Sequence, residues 1–187
     1  MVAAGAALAD EIGFNELTMG RLAERLGVRA PSLYKHIAGQ DDLHRRIAAL
    51  AFDEAGAAIG TAIQGRAGRD ALAAAAGALR DFVLTHPGRY AATLGLTPSG
   101  PDDPVMLAGR RGIGPFAAVL QGYDIPPQEM THALRAVRSV FHGFATLQAS
   151  GGFQWSTDIG ESFDYLIDLV DRGLRSAAVT DPADHHR

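Results

Sequence analysis

A short run of hydroxyl, aromatic and cationic side chains is the part of this sequence whose residue types suggest a chemistry. Ser32, Tyr34, Lys35 and His36 all carry hydrogen-bonding groups, and Lys35 is the only lysine among 187 residues. Short hydroxyls and one long cation are suited to contacting phosphates and base edges in the major groove of DNA. The run therefore predicts a surface that binds a double-stranded operator.

Residues on both sides of this run extend the predicted surface. The candidate DNA-contacting residues are Thr18, Arg21, Arg29, Pro31, Ser32, Tyr34, Lys35, His36 and Gln40. Tyr34 can bond a phosphate through its hydroxyl or pack at the base of a helix, and we favour the phosphate. His36 is expected beside a phosphate rather than at a base edge.

The spacing of apolar residues around the run predicts two short helices that hold it in place. Four leucines recur so that both helices can bury one seam: Leu17, Leu22, Leu26 and Leu33. Gly27 can take the positive φ that ends the first helix, and Val28 is expected to turn inward at the corner. Pro31 suits the first turn of the second helix, so the pattern is that of a helix-turn-helix.

The segment from Phe14 to Leu43 resembles the signature of the tetracycline-repressor (TetR) family of transcriptional regulators almost position by position. It reads FNELTMGRLAERLGVRAPSLYKHIAGQDDL. Later segments, HPGRYA at 86–91 and FHGF followed by ASGGF at 141–153, are similar to the TetR-like C-terminal domain named for a Trp-His-Gly triplet. This chain has Phe141 in place of the tryptophan.

The composition favours helices and limits the sites that the chain can build. Alanine fills 34 positions, and the absence of cysteine excludes disulfides and thiolate metal sites. No apolar run is long enough to span a bilayer, so we expect a cytoplasmic, all-α protein without membrane contact. We expect no cofactor and no metal, although His185 and His186 in the polar tail could bind one.

The formal net charge of −4 is unevenly distributed along the chain. Residues 1–50 carry six basic and six acidic side chains, whereas residues 51–187 carry 11 and 15. Between residues 17 and 36 there are four basic side chains and one glutamate. A small basic face on an acidic body favours specific docking over general adhesion to nucleic acid.

Hydrophobic periodicity predicts helices along most of the chain. Outside the helix-turn-helix they cover residues 1–13, 40–58, 70–85, 89–94, 104–122, 128–150 and 159–176. Asp158 is the expected N-cap of the last helix, and Pro115 is expected to kink the helix that contains it. The predicted domains are a DNA-binding head at 1–40, an effector-binding and dimerisation body at 41–180, and a disordered tail at 181–187.

The family resemblance implies that the body binds a small-molecule effector and a second copy of the chain. Candidate pocket residues are Phe82, Tyr90, Met106, Phe116, Leu120, Phe141, His142 and Phe144. For each of them a packed core is the competing interpretation, and His142 is either a satisfied core histidine or a ligand contact. Candidate homodimer contacts are Val137, Leu147, Phe163, Leu166, Ile167, Val170 and Leu174.

The sequence shows no arrangement typical of an enzyme. There is no nucleophile elbow, zinc-protease motif or phosphate loop, and GIGPFA at 112–117 lacks the strand that a dinucleotide fingerprint needs. The resemblance instead implies a sequence-specific regulator, most simply a repressor released by a small apolar or amphipathic effector. The alternative is a helical ligand-binding or interaction module that no longer reads DNA.

Overall fold

The computed structural model of the chain describes residues 1–97, 100 and 102–177, and the regular elements in these ranges are helical. The α-helices are α1 Val2–Ile12, α2 Met19–Arg25, α3 Ala30–Leu33, α4 Gln40–Ala62, α5 Gly68–Thr85, α6 Pro87–Ala91, α7 Pro104–Gln121, α8 Met130–Ala149 and α9 Ile159–Ala177. A short 3-10 helix, Phe14–Glu16, lies between α1 and α2. The all-α class predicted from the sequence is confirmed.

Most predicted helices occur within two residues of their expected ends, and the larger differences have local causes. Helix α4 continues past residue 58 to Ala62, because the expected break begins only where the chain turns towards Gly65, whose φ is +71°. Helix α6 begins at Pro87, since proline fits a first helical turn. Asp158 accepts the Glu161 N–H at 2.9 Å and caps α9 as predicted.

The chain forms two compact units, and the functional boundary predicted after residue 40 stays a prediction. The first unit comprises residues 1–58 and 81–113, and the second comprises residues 59–80 and 114–187, described to residue 177. The predicted tail at 181–187, with His185 and His186, lies outside the described residues. Pro115 lies inside α7, where the kink remains a prediction.

The core of the first unit contains most of the predicted seam. Leu17, Leu22 and Leu33 are almost completely buried, together with Ile37 and Leu43. Two expectations were wrong: Leu26 is 36% exposed and Val28 is 44% exposed. Leu26 is the C-cap of α2 and therefore lies beyond the helical turn that faces the seam, while Val28 follows the left-handed Gly27 and remains at the surface.

Helices α1 and α6 of the first unit approach each other at backbone distance. A Cβ atom on Gly88 would lie only 1.9 Å from the carbonyl oxygen of Ala9. Beside this contact, Asp10 accepts the Arg89 N–H and the Arg89 Nε–H, each at 2.8 Å, and Arg89 Nη1 donates to Glu54 Oε2 at 2.7 Å. Arg89 thus joins α6 to both α1 and α4.

The second unit is held by aromatic packing and by one buried carboxylate. Phe141 packs on Phe116 and Phe163, with ring centroids 6.2 and 6.0 Å away. Asp171 of α9 is buried and accepts the Tyr123 hydroxyl at 2.6 Å and Arg175 Nε at 2.9 Å. The Arg175 hydrogen bond is the largest cause of a lowered pKa at Asp171, whereas burial raises the pKa of the Tyr123 phenol.

Candidate nucleic-acid interface

Helix α2 is closed at both ends by hydrogen bonds that its sequence encodes. The Thr18 hydroxyl accepts the Arg21 N–H at 3.2 Å and is the N-cap. At the other end the Val28 N–H reaches the Ala23 carbonyl and the Gly27 N–H reaches the Glu24 carbonyl, both at 3.0 Å. With Gly27 at φ +65°, this is the Schellman arrangement, so the turn that follows α2 is firmly defined.

Helix α3 ends before most of the predicted DNA-contacting run. Helix α3 ends at Leu33, so Tyr34, Lys35 and His36 lie in the turn that follows it, where all three are exposed. The Ser32 hydroxyl donates to the Arg29 carbonyl at 2.7 Å, which leaves its lone pairs as acceptors. Tyr34 is 56% exposed, which disfavours the interpretation that it packs at the helix base.

The basic side chains of this region differ in whether a carboxylate accompanies them. Arg25 donates twice to Glu11 at 2.6 Å, which lowers the pKa of that carboxyl, and Arg21 lies 3.2 Å from Glu16. No carboxylate in the described part of the chain lies within 4.0 Å of Arg29 or Lys35. These two exposed cations are the groups most directly available to a phosphate.

Gln40 has a structural role that its sequence position does not reveal. Its Oε1 accepts the Met19 N–H at 3.0 Å, and its Nε2 donates to the Leu17 carbonyl at 2.5 Å. The Met19 N–H belongs to the first turn of α2 and has no partner within that helix. Gln40, predicted as a DNA contact, therefore ties the start of α4 to the start of α2.

Comparison with known proteins matches both parts of the chain. Residues 1–47 match the family described as "Bacterial regulatory proteins, tetR family", and residues 72–170 match "Tetracyclin repressor-like, C-terminal domain". The chain belongs to the tetR family. The resemblance seen between Phe14 and Leu43 is thereby confirmed, while the detail of the Trp-His-Gly triplet stays a prediction.

Individual relatives extend this result over nearly the whole chain. The uncharacterised HTH-type transcriptional regulator Rv0681 of Mycobacterium tuberculosis is 36% identical over 143 residues, which are 76% of this chain and 65% of the relative. YobS of Bacillus subtilis, with the same description, is 30% identical over 179 residues, covering 93% and 90%. A solved structure of a protein with unknown function from Rhodococcus sp. RHA1 is 26% identical, with a TM-score of 0.78 and 93% of both chains covered.

Membership in the tetR family carries the coarse function of transcription regulation through DNA binding, and Rv0681 and YobS are both described as HTH-type transcriptional regulators. This function agrees with the helix-turn-helix that α2 and α3 form in the first unit. None of the helices among residues 1–97 and 102–177 is both long and apolar enough to cross a bilayer.

The predicted effector residues of this tetR-family chain fall into both compact units. Phe82, Tyr90 and Met106 belong to the first unit, where the Phe82 and Tyr90 rings are 6.4 Å apart. The other five belong to the second unit: Phe116, Leu120, Phe141, His142 and Phe144. Burial, followed by the charge of Arg138, lowers the pKa of His142 and so favours its neutral imidazole. The pocket itself stays a prediction.

The predicted dimer residues differ in how far their own chain already covers them. Four are buried within the second unit, namely Val137, Phe163, Ile167 and Leu174. Leu166 and Val170 are partly covered, whereas Leu147 is 51% exposed. Two residues that the periodicity analysis missed, Tyr165 and Leu169, are 67% and 50% exposed on α9.

Proposed function

We propose that this chain is a repressor that binds operator DNA as a homodimer and leaves it when a small apolar or amphipathic effector binds the body. Each helix-turn-helix head would read one half-site, with α3 and the turn after it in the major groove. The proposed place of action is the cytoplasm of a bacterium, where its DNA is.

The observation that carries the DNA-binding part is a set of exposed side chains on a firmly held scaffold, namely Arg29, Pro31, Tyr34, Lys35 and His36. Helix α2, which supports α3, is fixed by the Thr18 cap, by the turn at Gly27 and by the two Gln40 hydrogen bonds, which we call the Gln40 clamp. Docking on a duplex loses less conformational entropy when the contacting segment is already ordered. The exposed cations then reach phosphates without first rearranging the backbone.

The proposed electrostatics have a measurable consequence. Arg29 and Lys35 have no carboxylate nearby, whereas Arg21 and Arg25 would have to exchange Glu16 and Glu11 for phosphates. Exposed ion pairs of this kind contribute little stability, so replacing them by phosphate contacts costs little free energy. Each phosphate contacted releases counterions, and the logarithm of affinity should fall with the logarithm of salt concentration by about 0.9 per contact.

Binding to DNA from the chain's own promoter region tests this part of the proposal. We expect a retarded complex in a mobility-shift assay, with a dissociation constant at least a thousandfold smaller than for a scrambled duplex at the same salt concentration. Fluorescence anisotropy at several salt concentrations should give a steep negative slope. Equal, salt-insensitive affinity for both duplexes would favour the alternative, a helical module that no longer reads DNA.

Homodimerisation is supported by the apolar side chains that remain exposed on α8 and α9. Leu147, Tyr165 and Leu169 are each at least half exposed, and two helices that present such residues can pack against their own copy. Sedimentation equilibrium should give a dimer at micromolar concentration. Leu169→Glu should shift the chain to monomers, while Leu107→Glu, a matched change at an exposed leucine of the first unit, should not.

The effector part of the proposal requires that ligand binding and DNA binding be coupled. Such coupling is typically worth about 1–3 kcal/mol, which corresponds to a fivefold to 150-fold loss of operator affinity. Arg89 supports this coupling within the first unit, because it joins α6 to α1 and α4. A thermal-shift screen of lipophilic metabolites, followed by mobility shift with each stabilising compound, tests it.

A further inference from the structure

Arg80, near the end of α5 in the second unit, sits in an unusual setting for a cation. Its guanidinium carbon lies 4.8 Å from the centre of the Phe163 ring and 5.9 Å from that of Phe144. Its Nε donates to Gln148 Oε1 at 2.7 Å, and the side chain is half-buried. Two rings and one amide therefore hold the guanidinium in a fixed orientation.

The described part of the chain provides no carboxylate partner for the guanidinium. It offers five N–H donors, of which Gln148 uses one. Among residues 1–97, 100 and 102–177 no carboxylate oxygen lies within 4.0 Å of it, whereas Arg69 of the same helix is paired with Asp168 at 2.6 Å. A partly desolvated guanidinium without a carboxylate partner among these residues can bind a planar anion, because carboxylates match its geometry.

A cavity of about 210 Å³ lies beside the same ring cluster. Its wall is formed by five residues of the loop after α8 and the start of α9: Phe153, Trp155, Thr157, Ile159 and Ser162. The ring centres of Phe153 and Phe144 are 4.8 Å apart, and the Arg80 guanidinium carbon is 5.9 Å from the Phe144 ring centre. The Phe153 ring centre is therefore at most about 11 Å from the guanidinium carbon. Drug-sized ligands usually occupy about 300–1,000 Å³, so this cavity suits a single ring or a short chain.

We propose that Arg80 is the anion-binding group of a site for small monocyclic aromatic carboxylates, whose ring lies against Phe153 and Trp155. The carboxylate would accept from the two terminal nitrogens of the guanidinium, while Gln148 keeps Nε engaged and the plane oriented. This site deepens the proposed function by giving its effector a chemical class. Only the expected effect of the ligand on DNA binding rests on the proposed function. Binding of the carboxylate itself is measured without DNA.

A purely structural role for Arg80 makes a different prediction. Its methylene stem covers the faces of Phe144 and Phe163, and such a role would affect stability without any preference for charged ligands. The distinguishing quantity is therefore the affinity for an anion relative to a neutral molecule of the same shape.

Benzoate and benzyl alcohol are the matched probes, and isothermal titration calorimetry on the full chain without DNA is the assay. We expect benzoate to bind at least tenfold more tightly than benzyl alcohol. Arg80→Gln should weaken benzoate at least tenfold and leave benzyl alcohol unchanged. Arg172→Gln removes the same charge from an exposed position of α9 and should change neither affinity.

Trp155 provides a second readout, because it is the only tryptophan and is 82% exposed. Benzoate should shift its emission to shorter wavelength in the unmodified chain and in Arg172→Gln but not in Arg80→Gln. If Arg80→Gln does not fold, Phe153→Ala, which removes a cavity wall, should weaken benzoate by a similar factor.

Equal binding of benzoate to Arg80→Gln and the unmodified chain would overturn the proposed site, and so would the absence of any benzoate binding. A change in the dimer dissociation constant of Arg80→Gln without a change in benzoate affinity would overturn it as well, by assigning Arg80 to the partner chain. Failure of the unliganded chain to bind promoter DNA would instead contradict the proposed function and leave the calorimetric result standing.

Discussion

Replacing Gly88 by alanine should separate two helices of the first unit. The added Cβ would lie 1.9 Å from the Ala9 carbonyl oxygen, 2.1 Å from the Ala9 carbonyl carbon and 2.5 Å from the Asp10 nitrogen. These are backbone atoms of α1 and cannot rotate away. Because ordinary contacts begin near 3.4 Å, α6 must retreat from α1 by roughly 1.5 Å.

That movement breaks the contacts that Asp10 makes with α6. The two hydrogen bonds from Arg89 to the Asp10 carboxylate are 2.8 Å long and would exceed 3.5 Å. Hydrogen bonds to charged groups contribute about 1.5–3 kcal/mol each, and alanine regains about 1 kcal/mol of helix propensity over glycine. We expect a net loss of about 3 kcal/mol in the free energy of unfolding. For a chain of this size that lowers Tm by about 6–12 °C.

Differential scanning calorimetry of Gly88→Ala beside Gly77→Ala tests this expectation. Gly77 lies inside α5 with nothing within 4 Å of an added Cβ, so alanine there should stabilise the chain by about 0.5–1 kcal/mol. The opposite signs of the two glycine substitutions follow only from the close approach at Ala9. A Tm for Gly88→Ala within 2 °C of the unmodified chain would refute the reasoning.

Three further predictions concern the DNA-binding head and the buried acid of the second unit. Lys35→Ala should weaken operator binding and reduce the salt slope by about one, measured by anisotropy; an unchanged slope would mean that Lys35 contacts no phosphate. Gln40→Ala should lower the free energy of unfolding in urea by about 1–3 kcal/mol, because two backbone groups lose their partner; an unshifted urea midpoint contradicts the clamp. Asp171 has a folded pKa below its unfolded value of 3.8, chiefly through Arg175, so its stabilising contribution is present above that value and is lost as pH falls through the folded pKa. Tyr123→Phe removes one donor to Asp171 and should move acid unfolding, followed by circular dichroism, to higher pH, whereas a midpoint that stays in place would argue against this hydrogen bond.

The DNA-binding head was predictable because its determinants are close together in sequence. Thr18 caps α2, Gly27 takes the left-handed conformation, and Leu22 and Leu33 share a core, all within 16 residues. The end of α3 was not predictable to the residue, because the chain after Leu33 continues in turns that differ from a helix by small changes in dihedral angle. The burial of Leu26 was predicted wrongly for the same reason. A side chain at the end of a helix points in a different direction when the helix ends one residue earlier.

Contacts between distant residues had no signal in the sequence. Gln40 reaches back to Leu17, and Asp10 meets Arg89 across 79 positions, so neither role follows from local spacing. Glutamine, aspartate and arginine are mostly found on solvated surfaces, so their residue types gave no indication of these contacts. Only the packing of α4 beside the start of α2, and of α6 against α1, turns them into structural contacts.

Periodicity located the apolar stripe of α9 but not what covers it. Phe163, Ile167 and Leu174 are covered by their own chain, whereas Leu169 is half exposed. Helical spacing gives the angular position of each side chain around the helix. It does not show whether the same chain or a partner chain covers that side chain. The residues proposed for dimer contact therefore had to be chosen from exposure rather than from pattern.

The exposed amine of Lys35 also determines how the protein can be handled in the laboratory. Apart from the amino terminus it is the one primary amine in the chain, and there is no thiol. Coupling through amines to a biosensor chip would attach part of the molecules by Lys35, on the face proposed to contact DNA, and we expect those molecules to lose operator binding. Acylation of Lys35 by a succinimidyl ester, read by mass spectrometry, would instead report operator binding at this residue, since we expect bound operator to shield that amine.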